Sequence, residues 1–351
     1  MSTTGFDPAA ASLAEMRALF KELPGPDLEA ATKAAEREVQ LTKPRGSLGR
    51  LEELASWLAT WQGRHPAQMR HPRTAVFAAN HGVAARGVSA FPAEVTEQMV
   101  QNFVAGGAAV NQLCQAFDAD LRVYEMALEQ PTADFTQGPA MGDGECARAM
   151  AYGMMAVEPN LDALCLGEMG IGNTTSAAAL ACALFGGEAS DWVGRGTGVT
   201  GDALARKTEV IAEGVARHAD LTDPLDILAA LGGMELAAIA GAVMAARLAR
   251  TPVVLDGFAC TVAASVLWKV DPKALDHCVV AHRSVEPGHA KLLGIIDKEP
   301  LFDFGMRLGE GSGATLAIGV LRAAADCHAG MATFASAGVA GPGPSAGGKP
   351  H

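Results

Sequence analysis

Ala163-Leu164-Cys165-Leu166-Gly167-Glu168-Met169-Gly170-Ile171-Gly172-Asn173-Thr174-Thr175 is the stretch that decides the fold of this chain. Its first four residues are apolar without alternation, which predicts a strand covered on both faces, as in a parallel sheet. The glycines allow a tight turn, and Asn173, Thr174 and Thr175 open an Ala-rich helix that continues from Ser176. Because free amides at a helix start favour anions, the stretch predicts an anion-binding turn, with a capped turn that binds nothing as the alternative.

The same sequence pattern recurs along the chain, where short apolar runs alternate with segments of helical spacing. Further candidate strands are Thr74–Ala79, Leu121–Met126, Pro252–Leu255 and Cys278–Ala281. Strands and helices that alternate over roughly 250 residues predict an α/β fold with a Rossmann-like parallel sheet and flanking helices. A closed eight-stranded barrel is disfavoured because only five or six strands are recognisable.

The two ends of the chain differ from its middle. Helical spacing of apolar residues predicts helices over Ala9–Leu23, Asp27–Gln40 and Leu48–Trp61. We therefore expect residues 1–65 to form the N-terminal part of a small helical domain and residues 66–330 to form the α/β domain, whose last helix is a candidate member of the small domain. Residues 331–351 are rich in Gly, Pro, Ala and Ser and predict a disordered tail.

The amino-acid composition restricts the classes of molecule that this protein can bind. The 351 residues are 49% hydrophobic and carry a formal net charge of −12, which argues against nucleic acid and anionic membranes. The seven cysteines include no CxxC pair, and no signal peptide or long apolar run is visible. We expect a soluble cytoplasmic protein whose cysteines are buried thiols.

Two more glycine-rich loops precede predicted helices. Gly194-Arg195-Gly196-Thr197-Gly198 is followed by a helix that carries Arg206 and Lys207, which suits a phosphate or ribose. An ordinary flexible connection is the alternative. Leu231-Gly232-Gly233-Met234-Glu235 opens an apolar helix and is equally typical of a close-packing turn.

The densest loop is Arg307-Leu308-Gly309-Glu310-Gly311-Ser312-Gly313-Ala314-Thr315. Glu310 has glycine on both sides, so its carboxylate projects either into solvent or into a cleft at a helix start. An enclosed apolar pocket would raise the pKa of Glu310 toward a value useful for a general base. A solvated turn glutamate is the alternative.

Three histidines invite a metal-site hypothesis: His81, His282 and His289. The Pro-Gly interruption between the last two disrupts helical ligand spacing, and no cysteine or carboxylate completes a familiar ligand set. We expect no metal and no cofactor.

Several segments in collinear order resemble one family, nicotinate-nucleotide–dimethylbenzimidazole phosphoribosyltransferase of the cobamide pathway. The resemblance covers about residues 43 to 322. It is carried by the segments Lys43–Glu52, Asn80–Val83, Gly87–Pro92, Asn102–Asn111, Gly167–Thr175, Gly194–Gly201, His282–His289 and Arg307–Gly313.

The resemblance implies a parallel sheet, a small helical domain built from the termini, a homodimer, and nicotinate mononucleotide and a benzimidazole-type base as substrates. It implies Glu310 as general base and Glu168 as a second carboxylate near the ribose. The remaining substrate-binding candidates are Ser89 and Phe91 at the base pocket, Gly170, Gly172, Asn173, Thr174, Thr175, Gly196, Lys207 and Ser284 around the nucleotide, and Leu308, Gly309 and Gly311 beside Glu310. Glu97, with Gln98 beside it, stands where the family leads us to expect an amide that contacts the base.

The residues alone are also compatible with two other functions. A nucleotide-dependent oxidoreductase would suit a doubly wound sheet, but the dinucleotide fingerprint is missing. A nucleotide-binding module without chemistry would also use the glycine loops. Turnover with NAD(P), or binding of nicotinate mononucleotide without release of nicotinate, distinguishes these functions from transfer.

Overall fold

The structure of the protein, a computed structural model, describes residues 10–341. Its centre is a six-stranded sheet of order β2-β1-β3-β4-β5-β6 in which every neighbouring pair is parallel. The strands are β1 (Pro72–Ala78), β2 (Asp120–Glu125), β3 (Ala163–Met169), β4 (Val253–Leu255), β5 (Cys278–His282) and β6 (Pro300–Phe302). The predicted α/β fold with a parallel sheet is confirmed.

The burial of each strand explains how well its sequence predicted it. All residues of β1 and β4 are buried, and the first five residues of β3 are buried, as their unbroken apolar runs indicate. The edge strand β6 was missed because it has three residues, begins with proline and is only half-buried.

Fifteen α-helices lie within residues 10–341. They are α1 (Leu13–Leu19), α2 (Leu28–Glu38), α3 (Arg50–Gln62), α4 (Val95–Val104), α5 (Ala109–Ala116), α6 (Asp143–Met154), α7 (Asn173–Phe185), α8 (Ala189–Trp192), α9 (Asp202–Arg217), α10 (Pro224–Leu231), α11 (Met234–Leu248), α12 (Phe258–Val270), α13 (Pro287–Ile295), α14 (Ser312–Gly330) and α15 (Phe334–Ala337). No helix within residues 10–341 is both long enough and apolar enough to span a bilayer.

The order of the strands indicates where on the sheet a ligand would bind. The chain runs from β1 to β2 on one side and then crosses to β3 on the other side, so the order reverses between β1 and β3. Such a switch point opens a crevice at the carboxyl ends of the strands. The register aligns Ala78 with Met169 and Leu166 with Leu255, which brings the loops after β1, β3 and β4 to one edge.

Two compact units divide the described chain. One comprises residues 10–24 and 71–317, and the other comprises 25–70 and 318–341. The expected boundary at residue 65 differs from this division, because α1 belongs with the larger unit. Leu13 and Met16 are buried in its core, and Arg17 pairs with Asp223 at 2.9 Å.

The smaller unit combines α2 and α3 with the C-terminal part of α14. The side chain of Arg37 donates from Nε to the carbonyl oxygen of His328 at 2.7 Å. Its C-terminal segment differs from the expected disordered tail, because Thr333 caps the short helix α15 and the N–H of Phe334 donates to the Gln40 carbonyl oxygen at 2.9 Å. Residues 342–351 of that predicted tail, and the predicted helix start at Ala9, lie outside the described residues.

Candidate active site

A cavity of about 560 Å³ opens at the carboxyl edge of the sheet in the larger unit. The ends of β3 and β5 and the turns after β3 and β4 contribute to its wall. Ten of the predicted site residues line it: Phe91, Glu168, Gly170, Asn173, Thr174, Gly196, Ser284, Leu308, Gly309 and Glu310.

The Glu310 turn has an unusual backbone. Gly309, Glu310 and Gly311 all have positive φ, with values of 79°, 63° and 74°. A residue with a side chain loses about 1–2 kcal/mol in this left-handed region, so surrounding contacts must hold Glu310 there. One such contact is the hydrogen bond from the N–H of Glu310 to the carbonyl oxygen of Glu168 at 3.2 Å.

Asp256 supplies two further contacts that hold this turn. It is fully buried, and its carboxylate accepts hydrogen bonds from the N–H of Gly311 at 3.2 Å and of Ala314 at 2.9 Å. Sequence reasoning missed Asp256, although it directly follows the predicted strand Pro252–Leu255. The rule that ligands lie beyond the carboxyl ends of strands would have identified it.

Burial makes Glu310 a candidate base. Its side chain is enclosed, and only 6% of the residue is exposed. Desolvation, with a smaller contribution from the negative charge of Asp256, raises the pKa of Glu310 to about 7. A carboxyl group with this pKa can exchange a proton near neutral pH, so the solvated-turn alternative does not apply.

Glu168 lies beside Glu310 at the end of β3. Burial, followed by the negative charges of Asp256 and Glu235, raises the pKa of Glu168 well above its usual range. The side-chain amide of Asn173 donates to Glu168 Oε2. Gly309 packs directly against this carboxyl group, since a Cβ there would lie 2.5 Å from Glu168 Oε1.

The turn after β3 has the predicted strand–turn–helix form. Gly172 has φ of 99°, and α7 begins at Asn173. The N–H groups of Asn173 and Thr175 already donate to the carbonyl oxygens of Gly170 and Gly172, at 3.1 and 2.9 Å. Fewer amides therefore face the cavity than the sequence suggested. Gly172 and Thr175 support the turn from behind the lining residues.

Lys207 reaches the same region from α9. Its Nζ donates to Thr174 Oγ1 at 2.9 Å and to the Gly194 carbonyl oxygen at 3.1 Å. Burial, partly opposed by Glu286, lowers the pKa of Lys207 to about 8. Glu286 was not predicted; its Oε1 accepts from the N–H of Gly196 at 2.9 Å. Lys207 therefore joins the two glycine loops behind the cavity wall.

His289 holds the backbone of Ser284 in place. The N–H of Ser284 donates to His289 Nδ1 at 3.0 Å, and His289 Nε2 lies 3.1 Å from Thr261 Oγ1. Burial lowers the pKa of His289 to about 3, so the ring is neutral. The backbone at Ser284 is thereby fixed from the protein side of the cavity.

The three histidines considered as metal ligands have separate partners. His81 pairs with Glu235 at 2.7 Å, His282 lies 3.6 Å from Asp256, and His289 supports Ser284. Within residues 10–341, no group of three or more His, Cys, Asp or Glu side chains is arranged to hold a metal ion.

The apolar end of the cavity comes from the segment after β1. Phe91 is 51% exposed at its rim, and Val95 and Met99 line it from one face of α4. Sequence reasoning missed the last two, although their i, i+4 spacing is the usual signal of a shared helix face. Ser89 does not line the cavity; its Oγ lies 3.0 Å from Thr197 Oγ1 and ties this segment to the Gly194–Gly198 loop.

Glu97 and Gln98 do not reach the cavity. Both are exposed on α4, and Glu97 lines a separate shallow groove together with Gln101 and Glu125. The helix turns them away from the face that carries Val95 and Met99. Gly311 also stands behind the wall, where its N–H is bound by Asp256.

Comparison with known proteins shows which family this chain resembles. The profile of a family described as "Phosphoribosyltransferase" matches residues 23–339. A protein of Brucella anthropi named nicotinate-nucleotide–dimethylbenzimidazole phosphoribosyltransferase is 56% identical over 328 residues, which cover 93% of this chain and 97% of the relative. A Brucella canis protein of the same name is 56% identical over 326 residues, which cover 93% of this chain and 96% of that relative.

Two crystal structures from Thermus thermophilus are also similar. One, named CobT, is 44% identical with a TM-score of 0.83 and covers 89% of this chain and 99% of its own. The other, named nicotinate-nucleotide–dimethylbenzimidazole phosphoribosyltransferase, is 42% identical with the same TM-score and covers 90% of this chain and 99% of its own. The chain belongs to the nicotinate-nucleotide–dimethylbenzimidazole phosphoribosyltransferase family.

Proposed function

We propose that this enzyme transfers the 5-phosphoribosyl group of nicotinate mononucleotide to dimethylbenzimidazole or a related base. The products are α-ribazole 5′-phosphate and nicotinate. The observation that carries the proposal is the pairing of Glu310, whose pKa is raised to about 7, with Glu168 on the wall of one cavity. The names of the relatives, at 56% identity, support the same substrates.

In the proposed reaction, one imidazole nitrogen of the base attacks the anomeric carbon. The bond from that carbon to the pyridinium nitrogen breaks, and its electron pair leaves with nicotinate as a neutral ring nitrogen. The other imidazole nitrogen loses its proton to Glu310, which later releases it to solvent. Since the leaving nitrogen begins as a cation, the departure requires no general acid. Attack from the opposite face converts a β-linked nucleotide into an α-linked product.

Glu168 has a different role in this proposal. Its raised pKa favours the protonated form. A cationic nucleotide, or an oxocarbenium-like sugar in the transition state, would favour its ionised form and be stabilised by it. The hydrogen bond from Asn173 orients the carboxyl group toward this task.

The phosphate of the mononucleotide would lie at the start of α7. The support is the dipole of this helix, together with the ammonium group of Lys207 bonded to Thr174. Ser284 lines the same cavity, and its Oγ accepts from the N–H of Glu286 at 3.3 Å, which leaves the hydroxyl proton for a ligand. No metal enters this scheme, because the substrate brings its own leaving-group charge.

The incoming base would occupy the apolar end of the cavity. Phe91, Val95 and Met99 offer apolar side chains there, which suit a benzimidazole ring. Glu97 and Gln98 point elsewhere, so we assign them no contact with the base within this chain.

The quaternary state and location complete the proposal. We propose a homodimer, supported by the exposed apolar side chains of Phe91, Val285, Phe304 and Leu308. Sedimentation at micromolar concentration should give twice the chain mass, and a monomer at all concentrations would contradict the dimer. A cytoplasmic location is supported by the seven cysteines, all of which are free thiols.

The decisive experiment offers the enzyme nicotinate mononucleotide with a panel of benzimidazoles, purines and phenols. Mass spectrometry should detect free nicotinate and an α-ribosyl phosphate of a benzimidazole, and the same yield is expected after prolonged treatment with EDTA. Binding without nicotinate release for every base would contradict transfer. A strict requirement for an added divalent ion would overturn the metal-free mechanism.

A further inference from the structure

A buried hydrogen-bonded pair lies directly behind the Gly170–Gly172 turn. His81 Nε2 and Glu235 Oε1 are 2.7 Å apart, and neither side chain is exposed. The other ring nitrogen of His81, Nδ1, lies 3.1 Å from Ser176 Oγ in the first turns of α7. His81 follows β1 and Glu235 lies in the first turn of α11, so the contact joins residues 154 positions apart.

The imidazole ring shapes the turn by contact. A Cβ at Gly170 would lie 3.3 Å from His81 Nε2, and a Cβ at Gly172 would lie 3.3 Å from His81 Cβ. Gly233, two residues before Glu235, lies against the ring at Cε1, where an added Cβ would be 2.2 Å away. Gly170 and Gly233 therefore adjoin the ring, and Gly172 adjoins its Cβ, so His81 is packed closely against the turn.

The hydrogen bonds of this pair point to a positioning role. Glu235 Oε2 has no hydrogen-bond partner within the described part of the chain, so the contact with His81 is what holds this carboxyl group there. A buried polar pair adds little net stability compared with apolar packing, and its best-attested benefit is a single defined geometry. Loss of His81 would leave the Glu235 carboxyl group without that contact behind the turn.

We propose that His81 and Glu235 are positioning residues that fix the Gly170–Gly172 turn and Ser176 for the phosphate of the mononucleotide. The inference rests on the proposed nucleotide site and deepens it. Neither side chain lines the cavity, so both act through the turn.

The test compares His81→Asn, Glu235→Gln and the double variant in steady-state assays with both substrates. His81→Asn should raise KM for nicotinate mononucleotide about tenfold or more, as for a buried acceptor left without its donor, with KM for the base changed less than about twofold. Glu235→Gln replaces the carboxyl group by an amide that keeps an acceptor, so its effect should be smaller. The double variant should recover part of the loss, because the carboxyl group left without its partner is gone.

Inorganic phosphate provides a readout independent of turnover. Its inhibition constant should rise in His81→Asn and recover partly in the double variant. The matched control is His277→Asn, an equally buried histidine that precedes β5 at the opposite edge of the sheet and contacts the Val243 carbonyl oxygen at 3.0 Å. This control should leave both constants unchanged even if it lowers the melting temperature.

Unchanged constants for both the mononucleotide and phosphate in folded His81→Asn protein would overturn the inference. An equal rise in the KM of the base, or no recovery in the double variant, would do the same. If His81→Asn fails to fold, Ser176→Ala decides, because it removes only the hydroxyl; it should raise KM for the mononucleotide about threefold or more. A wild-type enzyme that binds phosphate but releases no nicotinate would contradict the proposed function instead.

Discussion

The N–H of Glu310 donates a hydrogen bond to the carbonyl oxygen of Glu168, with 3.2 Å between the two atoms. This bond ties the turn before α14 to the end of β3. The backbones of Glu168 and Glu310, the two residues that bring carboxyl groups to the candidate site, are therefore linked directly. A shift in one of the two turns should move the other.

Glu310→Gln tests the general base. Glutamine keeps the shape and a hydrogen-bonding group but cannot take a proton, so kcat should fall by about 10²–10⁴-fold with little change in mononucleotide affinity. Glu168→Gln should have a milder effect if Glu168 only orients or stabilises the sugar. Near-normal kcat in folded Glu310→Gln protein, with both substrates saturating and chemistry rate-limiting, would refute the role.

The pH dependence of kcat should report the same group. Because burial raises the pKa of Glu310 to about 7, the ionised base is depleted below that pH and present above it. We expect kcat to rise with pH and level off above about pH 7, apart from shifts caused by bound substrates. Rate measurements from pH 5.5 to 8.5 check this, and the rising limb should be absent in Glu310→Gln.

Asp256→Asn should move the rising part of the kcat–pH profile to lower pH. Removing the negative charge lowers the pKa of Glu310, so kcat should reach its plateau at lower pH than in the wild type. Asparagine has one acceptor oxygen, so one of the N–H groups of Gly311 and Ala314 loses its partner. We expect unfolding free energy to fall by about 1–3 kcal/mol in denaturant titrations. If the rising part of the kcat–pH profile stays at the wild-type pH, Asp256 does not influence the pKa of Glu310.

Gly167→Ala tests the close approach of β3 to the Glu310 turn. An added Cβ would lie 2.6 Å from Gly311 Cα and from the carbonyl carbon of Glu310, and backbone atoms cannot give way cheaply. We expect lower kcat and a lower melting temperature.

Gly294→Ala is the matched control for this substitution, because no described atom lies within 4 Å of an added Cβ in α13. In a helix, alanine is favoured over glycine by about 0.5–1 kcal/mol, so stability should rise slightly with activity unchanged. Equal effects of the two variants would contradict the steric argument.

Lys207 should govern mononucleotide affinity at alkaline pH. Burial lowers the pKa of Lys207 to about 8, so its positive charge is present below that pH and lost above it. KM for the mononucleotide should therefore rise above about pH 8, and Lys207→Met should show a high KM at all pH values. Lys291→Met removes an exposed ion pair with Asp191 and should leave the profile unchanged. A wild-type profile that stays flat to pH 9.5 would contradict the assignment.

Local patterns were sufficient for the fold class and for part of the site. Short apolar runs predicted five strands, and the glycines on both sides of Glu310 predicted a carboxylate that projects either into solvent or into a cleft. Asp256 was missed although it follows a predicted strand, because no glycine-rich loop drew attention to it. Glu97 and Gln98 were placed by resemblance, but the rotation of α4 turns them away from the cavity.

The sequence by itself determined which segments become strands, turns and helices, because hydrophobic period and glycine conformation act over a few residues. Only the tertiary structure decided which turns meet. The reversal of strand order between β1 and β3 brings Glu168 to the Glu310 turn and His81 to Glu235. Burial in that crevice then raises the pKa of Glu310 to about 7, since desolvation depends on atoms that come from distant parts of the chain.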